Sequence, residues 1–261
     1  MTAPVGNFVV LDSVYGHFIV ARTCAFQAEA LVKTGRTHIE DELRNIFAVV
    51  DTLPPGAVIL DGGANIGFFT IPVAQRVRDR GIRVIALEPQ RQLYQALCGS
   101  VVLNGLEQVY VHNRALADQP GEAQLPALDY SVAQDFGMVR LQTPDPQAPV
   151  EHACMRDQRV DVVTIDSMDL PRLDFLKLDV EGHEVPAIQG GLQTITRHRP
   201  WIWVEYMITG VDPIVTSLQQ VPDYVFYVMD YQNLLCMPRE QASRVRVAGT
   251  DPVVVPGGHK G

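Results

Sequence analysis

Hydrophobic and polar positions along this chain follow two rhythms, and the change from one to the other gives most of the elements. Short runs of β-branched and aliphatic residues at 57–61, 82–87, 108–112, 173–179 and 201–205 read as strands. Between them, apolar residues recur at helical spacing over 66–79, 89–103 and 184–198. Repeated strand–helix units of this length predict an α/β domain built on a parallel, doubly wound sheet with right-handed crossovers. Residues 224–230 and 234–237 read as a closing hairpin.

The first part of the chain has a different pattern. Phe8-Val9-Val10-Leu11 and His17-Phe18-Ile19-Val20 flank Tyr15-Gly16, so 7–22 is an expected hairpin. Thr37 and Glu40 have the spacing of a capping box, Thr at the N-cap and Glu three residues on. Leu43, Ile46, Phe47 and Val50 continue that helix until Pro54-Pro55-Gly56 stops it. The expected organisation is a hairpin-and-helix extension over 1–55 that covers the sheet, an α/β domain over 56–240, and a loose tail over 241–261. Within the domain, 118–158 breaks the rhythm with Pro120, Pro126, Pro144, Pro146 and Pro149. An irregular insertion of that length at a sheet edge is expected near the substrate crevice.

Composition narrows the partners. The formal charge is −9, from 21 Lys and Arg against 30 Asp and Glu, with no basic cluster, which argues against nucleic acid. Arg76, Arg78, Arg80 and Arg83 read as the solvated side of a helix and turn. Cys24, Cys98, Cys154 and Cys236 lack metal or redox spacing and are expected as reduced, mostly buried thiols. No run of about 18 apolar residues and no signal-like start occurs, so the expectation is a soluble cytoplasmic protein without membrane contact, with a homodimer left open.

The chemistry concentrates in Val58-Ile59-Leu60-Asp61-Gly62-Gly63-Ala64-Asn65-Ile66-Gly67-Phe68-Phe69. A strand ending on an acid, then a glycine turn, then a helix builds a nucleotide pocket at the carboxyl edge of a parallel sheet. As a dinucleotide fingerprint the glycines would fall on 62, 64 and 67, but Ala64 occupies the middle place and Asp61 would repel a pyrophosphate. A nicotinamide oxidoreductase is therefore the weaker alternative. S-adenosylmethionine carries an ammonium and a sulfonium and no phosphate, so Asp61 suits it, Gly62 and Gly63 allow close approach, and Gly67 lets the helix pack tightly. Glu88-Pro89 ends the second strand, where Glu88 can accept hydrogen bonds from both ribose hydroxyls or cap the helix that Pro89 opens. Asn113-Arg114-Ala115-Leu116 follows the third strand and could flank an adenine ring.

These segments, with Val163-Thr164-Ile165-Asp166 and Phe175-Leu176-Lys177-Leu178-Asp179-Val180-Glu181-Gly182-His183-Glu184, resemble FkbM-type methyltransferases over roughly 37–237. The resemblance implies a class I Rossmann-like methyltransferase fold: a mostly parallel, seven-stranded doubly wound sheet with a C-terminal antiparallel hairpin. It also implies methyl transfer from S-adenosylmethionine to a hydroxyl of a small molecule such as a sugar, polyketide or other natural product. Cofactor residues would lie among Asp61, Gly62, Gly63, Ala64, Asn65, Gly67, Phe68, Glu88, Pro89, Asn113, Ala115 and Leu116.

Asp179, Glu181 and His183 are three candidate proton acceptors at the end of the fourth strand, of which His183 needs the least pKa adjustment to act near neutrality. Asp179 could orient the acceptor or bind a metal, and Glu181 could cap the turn. Related metal-dependent enzymes carry an acidic pair after the fifth strand. Here Glu205 is followed by Tyr206, so Mg²⁺ stays open as a second cofactor, shared by Asp179 and Glu205. Tyr130, Phe136, Tyr206 and Tyr231 are candidates to line the acceptor pocket, and Trp201 and Trp203 are expected in the core. A protein that binds S-adenosylmethionine without catalysis is a further alternative, against which the acids of 179–184 argue.

Overall fold

A computed structural model describes residues 6–126, 128–142 and 159–244. Cys154, Pro144, Pro146, Pro149, much of the insertion and most of the expected tail lie outside them. In chain order the strands are β1 (Phe8–Ser13), β2 (Gly16–Ala21), β3 (Val58–Gly62), β4 (Arg83–Leu87), β5 (Val109–His112), β6 (Arg114–Leu116), β7 (Gly121–Gln124), β8 (Arg159–Val163), β9 (Phe175–Leu178), β10 (Trp201–Glu205), β11 (Tyr224–Val228) and β12 (Asn233–Pro238). The helices are α1 (Ala25–Thr34), α2 (Glu40–Val50), α3 (Thr70–Arg76), α4 (Arg91–Leu103), α5 (Glu184–Gln189), α6 (Leu192–His198) and α7 (Val211–Leu218).

The seven-stranded sheet has the order β11-β12-β10-β9-β3-β4-β5. Pairings from β10 to β5 are parallel, while β12 runs antiparallel to both β10 and β11. The chain leaves β3 toward β4 and β5, then returns to β9 and β10 on the other side. The switch point thus falls between β3 and β9, where a doubly wound sheet opens a crevice beyond its strand ends. β3 and β9 are buried along their whole length, as near-continuous apolar runs covered on both faces require.

The expected hairpin forms and docks on α4: the Ile19 amide donates to Ser100 Oγ (2.9 Å) and the His17 amide to Asn104 Oδ1 (2.9 Å). Phe18 and Val20 from this hairpin share one core with Ile46, Ile59 and Val84.

Several elements differ from expectation for identifiable reasons. The capping box does not form: Ile39 stands at the N-cap of α2 without a side-chain cap. Glu40 instead accepts from Tyr15 Oη (3.0 Å) and Arg36 (2.9 Å), because a guanidinium outcompetes a backbone amide for its carboxylate. α1 escapes the pattern because Gln27 and Leu31 are its only buried residues among the helix positions. The helix expected over 184–198 is two helices broken at Gly190-Gly191, and the Asp166 carboxylate accepts from the Gln193 and Thr194 amides at the start of α6 (3.2 and 2.8 Å). Residues 114–116, outside the expected strands, pair with β8 in a separate three-stranded sheet, β6-β8-β7.

Candidate active site

The glycine loop after β3 is shaped by what lies against it. Gly63 has φ +78°, and a Cβ there would stand 1.7 Å from the Asp179 carbonyl oxygen. The loop crosses the end of β9 at backbone distance, which only glycine permits. Asn65 follows at φ 51°, with its side-chain oxygen accepting from the Ile66 amide (2.8 Å) and its own amide donating to Glu88 (2.7 Å).

Beneath the loop sits a buried charge group. Asp61 is 0% exposed; it accepts from Thr70 Oγ1 at 2.5 Å, and its other oxygen lies 3.5 Å from Lys177 Nζ. Lys177, in the middle of the buried run Phe-Leu-Lys-Leu, also reaches Asp179 Oδ2 at 3.2 Å and the Gly63 carbonyl at 3.5 Å. Burial works to lower the Lys177 pKa, but Asp179, Asp61 and Glu42 together hold it above the ordinary lysine value. Burial pushes the Asp61 carboxyl up, opposed by Lys177 and Thr70.

Two cavities meet over this group. The narrower crevice, about 610 Å³ including its open mouth, is lined at one end by Leu87, Glu88, Pro89, Gln90, Ala115 and Leu116, and at the other by Asp179, Val180 and Glu181. Glu88 accepts from the Asn65 amide through one carboxylate oxygen and from the Gln90 amide (2.8 Å) through the other. Each oxygen keeps a further lone pair for a ligand hydroxyl. Burial raises the Glu88 pKa to about 7.

The wider cavity, about 1420 Å³ on the same measure, lies between α2, the 205–208 segment and the 230–233 turn. Asn65, Gly137, Asp179 and Glu181 line both spaces and form their junction.

The turn after β9 presents these acids outward. Glu184 is buried and accepts from the Val180 and Gly182 amides (3.1 Å each) while Thr209 donates to its other oxygen. Glu184 therefore caps the turn, the role considered for Glu181. Glu181 itself adopts φ 53° and lines the junction. Burial, then the nearby Asp179 and Glu184 charges, raises its pKa to about 7. Glu205, at the end of β10, is raised to about 8 by burial and by Asp179 and Glu181. One carboxylate oxygen from each of Asp179, Glu181 and Glu205 lies within 4.8 Å of the others.

The structure brings Glu88, Pro89, Asn65, Gly63, Ala115, Leu116, Asp179 and Glu181 together on the crevice wall and leaves other candidates off it. Asp61 and Gly62 are buried at the end of β3 and do not line it, Ala64 and Phe68 are buried, and Gly67 packs against Leu97 and Ile71 of neighbouring helices. Asn113 donates to the Glu88 and Pro89 carbonyls (2.9 Å each), fixing the end of β4 from behind. His183 lines neither cavity, and its Nδ1 is buried without a hydrogen-bond partner. Of the aromatics considered for the acceptor pocket, Tyr231 lines the wide cavity; Tyr130 and Phe136 stack on each other at 4.3 Å inside the core, where Tyr130 holds Gln90. Trp201 and Trp203 are core residues. Lys177 and Gln90 are site-forming residues that the motif reading passed over; a lysine inside a four-residue buried strand is the signal that marks the first.

The described residues contain no helix long and apolar enough to cross a membrane. Comparison with known proteins gives a match to the Methyltransferase FkbM domain family over residues 61–233. No curated protein sequence matches the chain. Among solved structures, the methyltransferase FkbM from Methylobacillus flagellatus KT is 20% identical at TM-score 0.49, covering 71% of this chain and 44% of that one. The chain thus spans less than half the length of that protein. An S-adenosylhomocysteine-bound methyltransferase from Podospora anserina is 12% identical (TM-score 0.44; 75% and 76% of the two chains). An S-adenosylmethionine-dependent O-methyltransferase from Thermotoga maritima is 13% identical (TM-score 0.45; 89% and 78%).

Proposed function

This chain belongs to the FkbM methyltransferase family, with the class I methyltransferase fold, and from that membership we propose that it moves the methyl group of S-adenosylmethionine to a hydroxyl of a small molecule. The nicotinamide alternative falls with family membership. The observation that carries the reading is the junction: Asn65, Gly137, Asp179 and Glu181 line both cavities, so a donor in one meets an acceptor in the other there.

In this reading the narrow crevice holds the donor. Glu88 receives the ribose hydroxyls, and Pro89, Ala115 and Leu116 offer apolar walls to the adenine. The sulfonium lies toward Asp179. Transfer is an in-line displacement: the acceptor oxygen bonds to the methyl carbon as the carbon–sulfur bond breaks and its electron pair returns to sulfur. Alignment of this kind is worth roughly 7–11 kcal/mol. The hydroxyl proton passes to a carboxylate at the junction. Glu181, with a pKa near 7, is matched to that task at neutral pH, and a positioned base contributes about 10²–10⁴-fold. Asp179, fixed by Lys177, orients the hydroxyl. His183 has no place in this scheme.

A divalent cation is a second reading favoured by one observation, the approach of Asp179, Glu181 and Glu205 within 4.8 Å. An all-oxygen set fits Mg²⁺, which when bound would polarise the acceptor oxygen. Adding Mg²⁺ to chelator-treated protein separates the two: unchanged turnover removes the metal, and recovery from none retires Glu181 as a free base.

The cofactor assignment is tested by calorimetric titration with S-adenosylhomocysteine, with expected binding in the micromolar range. Turnover is then sought as product release across a library of hydroxylated small molecules. No binding at millimolar S-adenosylhomocysteine would sink the reading.

A further inference from the structure

The walls of the wide cavity differ sharply in charge from what a neutral hydroxyl compound requires. Seven carboxylates line it, and among the described lining residues there is no Lys or Arg. Asp230 is committed to its own turn, accepting from the Gln232 and Asn233 amides (2.8 and 2.7 Å). Six remain: Asp179, Glu181 and Glu205 at the inner end, and Asp41, Glu42 and Asp135 further out, with Asp135 accepting the Gly137 amide (2.9 Å) through one oxygen only. Arg44 pairs with Asp41 at 3.0 Å, but both side chains are largely exposed and such a surface pair is worth little. The other nearby cations do not neutralise the group. Lys177 lies behind the inner wall, already between Asp61 and Asp179, and Arg140 acts on Glu181 from an exposed loop position. His38, which lines the cavity, is held toward its neutral form by burial.

A second feature of the same cavity points the same way. Phe26 and Tyr231 line it while 61% and 77% exposed, with Met138 and Met207 also exposed beside them. Phe26 packs against His38 (ring centroids 4.7 Å apart), while the Tyr231 ring is exposed next to the carboxylates. A ring so placed suits an organic ammonium, which gains from both the ring quadrupole and the acids. A metal ion uses oxygen ligands at one point and leaves such rings idle. The acidic wall also extends beyond the inner three acids to α2 and the 135 loop, farther than one ion can use, although burial raises Glu42 to about 7, as it does Glu181.

We propose that the methyl acceptor is a hydroxylated organic cation, such as an amino sugar or aminocyclitol, bound in the wide cavity with its ammonium groups on Asp41, Glu42 and Asp135 and a hydroxyl at the Asp179–Glu181 junction. This rests on the methyltransferase reading above. The acids raise the local concentration of a cation and exclude acidic sugars by like-charge repulsion.

The test is calorimetry on the full chain saturated with S-adenosylhomocysteine, using kanamycin, glucosamine, glucose and glucuronate as probes. Kanamycin should bind most tightly, glucosamine more tightly than glucose, and glucuronate not at all, with kanamycin affinity falling as salt is raised. Asp41→Asn/Asp135→Asn, both exposed positions, should weaken kanamycin at least tenfold and leave S-adenosylhomocysteine affinity within twofold. Glu42→Gln, one partly buried position, provides an independent variant with the same expected direction. Kanamycin binding no tighter than glucose, or unchanged in both variants, overturns the cationic acceptor while the methyltransferase reading stands. Loss of kanamycin binding on adding Mg²⁺ at matched ionic strength assigns the charge to a metal and also overturns it. Failure of the unmutated protein to bind S-adenosylhomocysteine removes both readings together.

Discussion

The Lys177 ammonium lies 3.2 Å from the Asp179 carboxylate at the mouth of the site and, in the same buried position, 3.5 Å from Asp61 beneath the glycine loop. One cation thus ties the segment beneath the glycine loop to the end of β9, where Asp179 lines both cavities. The arrangement makes the loop and Asp179 a single unit, so changes below the site should be felt within it.

Lys177→Met is expected to lower stability by about 3–5 kcal/mol, the usual cost of leaving a buried partner charge uncompensated. That partner is Asp61, which is 0% exposed, while the Asp179 side chain is partly solvated. Adding Asp61→Asn should therefore recover at least a third of the loss, since the remaining amide still accepts from Thr70. Urea unfolding measures both. A Lys177→Met variant within about 0.5 kcal/mol of the parent would show that the pair holds nothing together.

Much of this was legible in the chain. The acid–glycine turn, the acid ending β4 and the segment 177–184 stand where the pattern put them, because strand ends in a doubly wound sheet are fixed by local alternation and topology. Which acid does what was less legible. Asp61, the carboxylate that sequence set against the sulfonium, faces a lysine 116 positions later, a contact no local pattern announces. Glu184 rather than Glu181 caps the turn because the cap depends on the left-handed backbone at Glu181 and Gly182, which periodicity does not encode. The side sheet β6-β8-β7 and helix α1 were missed since short edge strands and a helix burying two side chains leave weak patterns.

Glu88→Gln should weaken S-adenosylhomocysteine by roughly 10- to 100-fold, in keeping with about 1.5–3 kcal/mol for hydrogen bonds to a charged group. Glutamine keeps one acceptor oxygen, so one of the Asn65 and Gln90 amides loses its partner as well. Calorimetry at constant pH gives the affinity. Parental affinity in the variant would move the ribose site elsewhere.

The same residue sets a pH dependence of stability. Burial raises Glu88 from 4.5 to about 7 in the fold. Between these values the folded chain binds a proton that the unfolded chain has released, so stability falls as pH rises. The contribution is fully present below about pH 4.5 and lost once pH passes about 7. Thermal melts of Glu88→Gln should accordingly decline less steeply between about pH 5 and pH 8 than those of the parent. Parallel curves would contradict the assignment.

Turnover should separate the candidate bases. Glu181→Gln is expected to reduce kcat by about 10²–10⁴-fold with little change in S-adenosylhomocysteine affinity. His183→Asn should stay within about threefold of the parent, because the ring lines neither cavity. With the acceptor found by library screening, a collapse in His183→Asn beside an active Glu181→Gln would reverse the roles.

Gly63→Ala tests the crossing of loop and strand directly. Two costs combine there: a left-handed backbone at φ +78°, and a Cβ that would meet the Asp179 carbonyl oxygen at 1.7 Å. Gly35 provides the control, since it has φ +66° with nothing within 4 Å of an added methyl. Gly35→Ala should therefore show the backbone penalty alone, about 1–2 kcal/mol, and bind S-adenosylhomocysteine like the parent. Gly63→Ala should lose more stability than that, because the loop has to lift off β9, and its S-adenosylhomocysteine affinity should drop at least tenfold as Asn65 and Asp179 move apart. Unfolding and calorimetry on the two variants give the comparison. Equal losses in both would mean that the close approach of Gly63 to Asp179 does not shape the site.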